Sequence, residues 1–170
     1  RSESGAIVAP FPQKLVLTAL GYSPATPKGG LTAEVVSFPT LDALKAADPS
    51  AIKGRIVYVG ERMTRQKDGH DYGIGSAIRM QGPVIAQAKG AAGFLLRSAG
   101  TDPHSRAPHT GVTGFTDPAK AIPAAALAEP DADQLERVLA YGKPVTVKMD
   151  LDCGLAGTYT GANVIGEITG

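Results

Sequence analysis

Hydrophobic and polar positions along this chain follow two kinds of strand pattern. Pro144–Asp150 alternates, with Val145, Val147 and Met149 on one side and Thr146 and Lys148 on the other, the two-residue period of a half-buried strand. Arg55–Val59, Gly93–Arg97 and Ile122–Leu127 are instead unbroken apolar runs, as expected of strands covered on both faces. Between the first two runs, Ala77, Ile78, Val84, Ile85 and Ala88 form a helical stripe, and Gly82-Pro83 predicts a break or kink inside it. A strand–helix–strand connection of this length implies a parallel crossover. Further strands are expected over Leu15–Leu20, Ala33–Phe38 and Asn163–Ile168. Thr40 is placed to cap a short helix over Leu41, Leu44 and Lys45 that ends before Pro49. Asp131 and Gln134 predict a reciprocal cap for a helix with Leu135, Val138 and Leu139 inward and Gly142 at its end. Ser76 reads as the cap of the middle helix. About seven strands and three helices result, a mixed α/β chain.

The connections carry the remaining information. Gly21–Gly30 is rich in Pro and Gly and is the best internal boundary, separating an entry segment (1–20) from the main body (21–170). Residues 60–74 and 98–121 are polar, aperiodic loops, and loops of that length are usually functional or disordered. The start at Arg1-Ser-Glu-Ser lacks signal-peptide character and reads as a domain boundary.

Composition narrows the classes. With 170 residues the chain is one ordinary domain, and its four Phe, five Tyr and no Trp leave a core of Ala, Val, Ile and Leu. Seventeen basic and sixteen acidic residues give a formal charge of +1, with no basic run to suggest a nucleic-acid surface. No apolar stretch approaches the roughly 18 residues that read as a membrane-spanning helix. The single Cys153 excludes an internal disulfide and a Cys-rich zinc site.

Candidate chemistry is sparse. Asp102, His104, His109 and Asp117 are the strongest metal constellation, but their spacing fits no known motif and they lie in a Pro-rich loop. Ser76 lacks the second flanking glycine of a nucleophile elbow, and Gly73-Ile-Gly75 does not follow a strand as a dinucleotide loop must. Cys153 has acidic Asp152 beside it, which disfavours a thiolate. Arg79 and Arg97 stand out. Arg97 ends a buried strand, where open α/β sheets place ligand-contacting groups, and a guanidinium there can hold a peptide carboxylate through two parallel hydrogen bonds. Its structural counterpart is a salt bridge to Asp or Glu, or bonds to loop carbonyls.

Several segments together resemble the protease-associated domain of M28-family zinc exopeptidases, in particular the carboxypeptidase Q group. These are Lys53–Gly60 with Ala86–Arg97, Ala121-Ile-Pro-Ala-Ala-Ala-Leu127 followed by Pro130–Leu135, Pro12–Val36 as an entry segment, and Asn163–Gly170 as an exit strand. Arg79-Met-Gln-Gly82, Leu96-Arg-Ser98 and Pro108-His-Thr-Gly111 resemble group-specific sequence within the domain. The resemblance implies the swivelling β/β/α fold, a β-sandwich or open barrel of mixed strands with short flanking helices. It implies a secreted or periplasmic parent with two zinc ions in its peptidase domain, acting on peptide substrates as an aminopeptidase or carboxypeptidase. The His-x-Asp motif and the paired acidic dipeptide of those enzymes are absent from this chain. The expectation is therefore a non-catalytic, cofactor-free module that binds the peptidase domain of the same chain, acts as a lid or substrate-access element, and is a possible homodimer contact. Loops 60–75 and 98–118 are expected to face the peptidase domain, with Arg79, Arg97, His109 and Thr110 as the substrate or interaction residues. Two other readings stand beside it: a free-standing peptide- or protein-binding module, and an independent enzyme built on the Asp102/His104/His109 loop.

Overall fold

A computed structural model describes residues 2–154 and 157–168. The order of elements is β1 (Glu3–Ala9), β2 (Gln13–Leu15), β3 (Leu17–Ala19), β4 (Leu31–Phe38), α1 (Leu41–Ala46), a 3-10 turn (Pro49–Ala51), β5 (Ile56–Val59), α2 (Tyr72–Ala88), β6 (Gly93–Arg97), β7 (Ala124–Leu127), α3 (Glu129–Leu139) and β8 (Thr146–Leu151). The eight strands form one sheet in the order β2-β1-β8-β4-β5-β6-β7-β3. Strands β4 to β7 are parallel neighbours, and the strands flanking them are antiparallel. Because β2 and β3 are separated only by Val16 and lie at opposite ends of the order, the sheet curls into a nearly closed barrel. Strand β1, which the apolar pattern did not single out, pairs with both β2 and β8.

Side-chain alternation splits the interior in two. Ile56, Tyr58, Leu95, Ala125 and Leu127 point into the barrel, where Ala132, Leu135 and Val138 of α3 meet them. Val57, Val59, Phe94, Leu96, Ala124 and Ala126 point the other way, under α1 and α2. The central strands are buried at every position because each face has its own helical cover. Phe94 and Leu96 are within 1% of full burial, and fully burying an apolar side chain of that size contributes about 1.5–3 kcal/mol.

Five details depart from the sequence pattern. Helix α2 runs through Gly82-Pro83 without interruption, since Gly82 and Pro83 are both buried against β6. A Cβ at Gly82 would lie 2.5 Å from Phe94 Cζ, so glycine is what lets the helix sit on the ring. Ser76 lies inside α2 and not at its cap, because the helix begins four residues earlier at Tyr72. Helix α3 starts at Glu129 with Pro130 in its first turn, a position proline favours, and Asp131 does not cap it. Asp131 Oδ1 instead accepts from the Val16 backbone N–H at 3.1 Å, and the Leu15–Leu20 run divides there into β2 and β3. The expected strand over Asn163–Ile168 does not form. Val164, Ile165 and Ile168 are each at least 90% exposed, and a strand without a partner edge has nothing to close its ladder.

Candidate functional site

The carboxyl ends of the parallel strands converge on one edge, from which the 60–71 connection leaves β5 and the 98–123 connection leaves β6. Two arginine-centred clusters occupy that region, and they differ in kind.

Arg97 ends β6 and its side chain is fully buried. Its guanidinium ion-pairs with Glu129 (2.6 Å), Asp133 (2.8 Å) and Glu136 (2.8 Å), which the i, i+4, i+7 spacing places on one face of α3. Arg62, from the loop after β5, pairs with Asp133 and with Glu136 (3.2 Å), and Tyr58 Oη donates to Glu136 Oε1 at 2.8 Å. Three carboxylates thus face two guanidinium groups and a phenol. Burial opposes the Arg97 charge, but its carboxylate partners, Glu136 foremost, hold the guanidinium well above its ordinary range. Burial pushes Glu129 up despite Arg97. Asp133 feels burial too, but pairing with Arg62 and Arg97 outweighs it and holds the carboxyl below its ordinary value. Burial likewise keeps the Tyr58 phenol protonated far beyond its usual range. Beside Arg62 and Glu136 lies a cavity of about 390 Å³, lined also by Ser37, Phe38 and Pro39. This cluster ties β5, β6 and the loop after β5 to α3.

Arg79 belongs to the second cluster, on the α2 face that carries Tyr72, Ser76 and Arg79 at the same i, i+4, i+7 spacing. Its Nη1 donates to Tyr72 Oη at 3.3 Å and its Nη2 to Ser76 Oγ at 3.4 Å. Tyr72 Oη lies 2.9 Å from His109 Nε2, and the two rings meet edge to face with centroids 5.5 Å apart. His109 is positioned by its own backbone: its N–H donates to Ser98 Oγ, and Ser98 Oγ returns a bond to the His109 carbonyl at 3.1 Å. Thr110 Oγ1 donates to the Ala19 carbonyl at 2.8 Å, and Gly111 and Thr113 bracket Gly21 in a short parallel bridge. The long loop is therefore pinned where it carries His109 and Thr110.

Of the four residues singled out by sequence, Arg79 and His109 share Tyr72 as a partner, and Thr110 follows His109 directly. Arg97 is engaged by α3. Tyr72 was missed, since it lay in a stretch read as loop. Glu129, Asp133 and Glu136 were missed although their helical spacing was visible. The metal constellation is not assembled: among the described residues no group of three or more His, Cys, Asp or Glu side chains could hold a metal ion. No helix among them is long and apolar enough to cross a membrane.

No family model matches the chain. It is 29% identical over 168 residues to Carboxypeptidase Q of Mus musculus, covering 99% of this chain and 34% of that protein. It matches the crystal structure of the Peptidase M28 precursor from Shewanella amazonensis with a TM-score of 0.84 and 41% identity, over 88% of this chain and 34% of the other. A zinc aminopeptidase from Bacillus subtilis shares the fold alone, with a TM-score of 0.55 and 15% identity over 88% of this chain and 30% of its own. The near-closed mixed barrel with short helices is a protease-associated domain. Whole-chain likeness to Carboxypeptidase Q and close superposition on the M28 precursor support a protease-associated domain of the M28 kind. The chain spans about a third of the length of these relatives, and so corresponds to one domain of a peptidase.

Proposed function

We propose that this chain is the non-catalytic protease-associated domain of an exported M28 zinc exopeptidase, and that it acts as a lid controlling how peptides reach the metal site. The observation that carries this reading is that one sheet edge gathers both long loops and two arginine clusters, in a chain that spans about a third of its peptidase relatives. Zinc would be held by residues of the parent's peptidase domain, where it supplies an activated water. Here the loops 60–71 and 98–118 would lie against that domain, and His109 and Thr110, both exposed, would face incoming peptide. Arg97 holds the edge rigid from below.

Grafting this chain in place of the matching region of the Shewanella Peptidase M28 precursor tests the reading. His109→Ala in the graft should raise KM several-fold with a smaller change in kcat, as expected when ground-state binding is lost. Shortening loop 98–118 should do the same. Unchanged kinetics in both variants would contradict the lid assignment.

A further inference from the structure

We propose that Arg79 anchors a carboxylate-binding site, and that its ligand is the free C-terminal carboxylate of a short peptide; the peptide half of this statement rests on the function proposed above. The contrast between the two arginines carries the inference. Arg97 is matched by three carboxylates, whereas no carboxylate among the described residues ion-pairs with Arg79. The Nε–H groups of both arginines are buried without an acceptor among the described residues, but the other two nitrogens of Arg79 reach only neutral hydroxyls at long range, where those of Arg97 reach carboxylates. A desolvated charge without a counter-charge costs more than a neutral group, so an anion is the complement that the Arg79 guanidinium lacks.

Its surroundings fit an anion. Ser76, Tyr72 and His109 present hydroxyl and imidazole groups to the guanidinium or to one another, with no negative charge among them. Gly111 adds the last element. A Cβ there would lie 2.7 Å from Arg79 Cζ and 2.8 Å from Nε, so only glycine leaves the guanidinium in its present position. The Gly111 carbonyl is already used by the Gly21 N–H at 2.8 Å and leaves Nε–H unserved. With Nε covered by Gly111, the two Nη groups beside the His109 imidazole form the planar fork that suits a singly charged carboxylate, which it can bind through two parallel bonds. Tyr72, His109 and Thr110 are exposed, so a peptide end can approach.

The test is an NMR titration of the 170-residue chain with N-acetyl-dialanine, its C-terminal amide and acetate, following the Arg79 Nε–H and the Gly111 amide. The free acid should shift both signals and the amide neither. Arg79→Gln should weaken binding by roughly ten- to a hundredfold, as expected for a charged hydrogen bond, and Arg79→Lys should restore part of it. Gly111→Ala, which displaces the guanidinium, should weaken binding without removing the charge. Tighter binding of the dipeptide than of acetate supports the whole proposal. Equal affinities uphold carboxylate recognition and overturn the peptide assignment, pointing to a side-chain carboxylate of the parent. Equal response to acid and amide, or full binding by Arg79→Gln, overturns the site, and does so whatever the kinetics of the grafted enzyme show.

Discussion

Replacing Arg97 by Gln removes the guanidinium that three α3 carboxylates share. The side chain is fully buried, while Glu129, Asp133 and Glu136 retain 11%, 27% and 32% exposure. Breaking a buried pair by deleting one partner typically costs about 3–5 kcal/mol, because the surviving charge is left uncompensated. Here Arg62 still neutralises part of the cluster and water reaches two of the carboxylates, so the lower end, about 3 kcal/mol, is the appropriate figure. For a chain of this length 1 kcal/mol corresponds to roughly 2–4 °C in Tm, which gives a fall of about 6–12 °C. Thermal and urea denaturation followed by circular dichroism measure it directly. A second comparison isolates the cause. Arg97→Met combined with Glu129→Met should be less destabilised than Arg97→Met alone by more than about 1 kcal/mol, since Glu129 is the carboxylate that burial already pushes towards its neutral form. Arg79→Gln, which breaks no ion pair, should stay within about 1 kcal/mol of the parent chain. An Arg97→Gln chain as stable as Arg79→Gln would refute the view that this cluster holds the sheet edge together.

The same cluster has a pH signature. Asp133 is held below its ordinary value of 3.8, so the stability it contributes is present above that value and lost as pH falls through the lowered one. The stability difference between the parent and Asp133→Asn should therefore shrink on acidification from about pH 5 to about pH 3; a constant difference would contradict the pairing. Tyr58→Phe removes the only hydroxyl reaching Glu136 Oε1 among the described residues and should cost about 1–2 kcal/mol, read by urea denaturation. Gly82→Ala gains helix propensity but drives a methyl group into the Phe94 ring, and should lose about 1–3 kcal/mol; a gain would mean that β6 yields more readily than the packing suggests.

Much of the barrel was legible because its central strands announce themselves. Ile56–Val59 and Phe94–Leu96 are apolar without interruption, as strands covered on both faces must be, and the alternation of Val145, Val147 and Met149 fixed which side of β8 turns inward. What escaped the pattern depended on contacts distant in sequence. Val16 breaks a strand because Asp131, 115 residues away, takes its N–H. Pro83 stays helical because Phe94 receives the glycine beside it. Asn163–Ile168 reads as a strand by composition, but a strand needs an edge and none among the described residues pairs with it. The site divides in the same way. Arg79 and Arg97 were visible as unusual residues, but only the fold shows that Arg97 is saturated by an acidic helix face and that Arg79 faces neutral groups, the Tyr72 ring and hydroxyl and the Ser76 hydroxyl among them.

The central proposal is that this domain serves a zinc exopeptidase without performing its chemistry. The most direct measurement is a zinc-supplemented exopeptidase assay on the isolated 170-residue chain and on the Shewanella Peptidase M28 precursor carrying it as a graft. The account predicts turnover by the graft and none by the chain alone. Chelator-sensitive hydrolysis by the isolated chain would contradict it and return attention to His104 and His109.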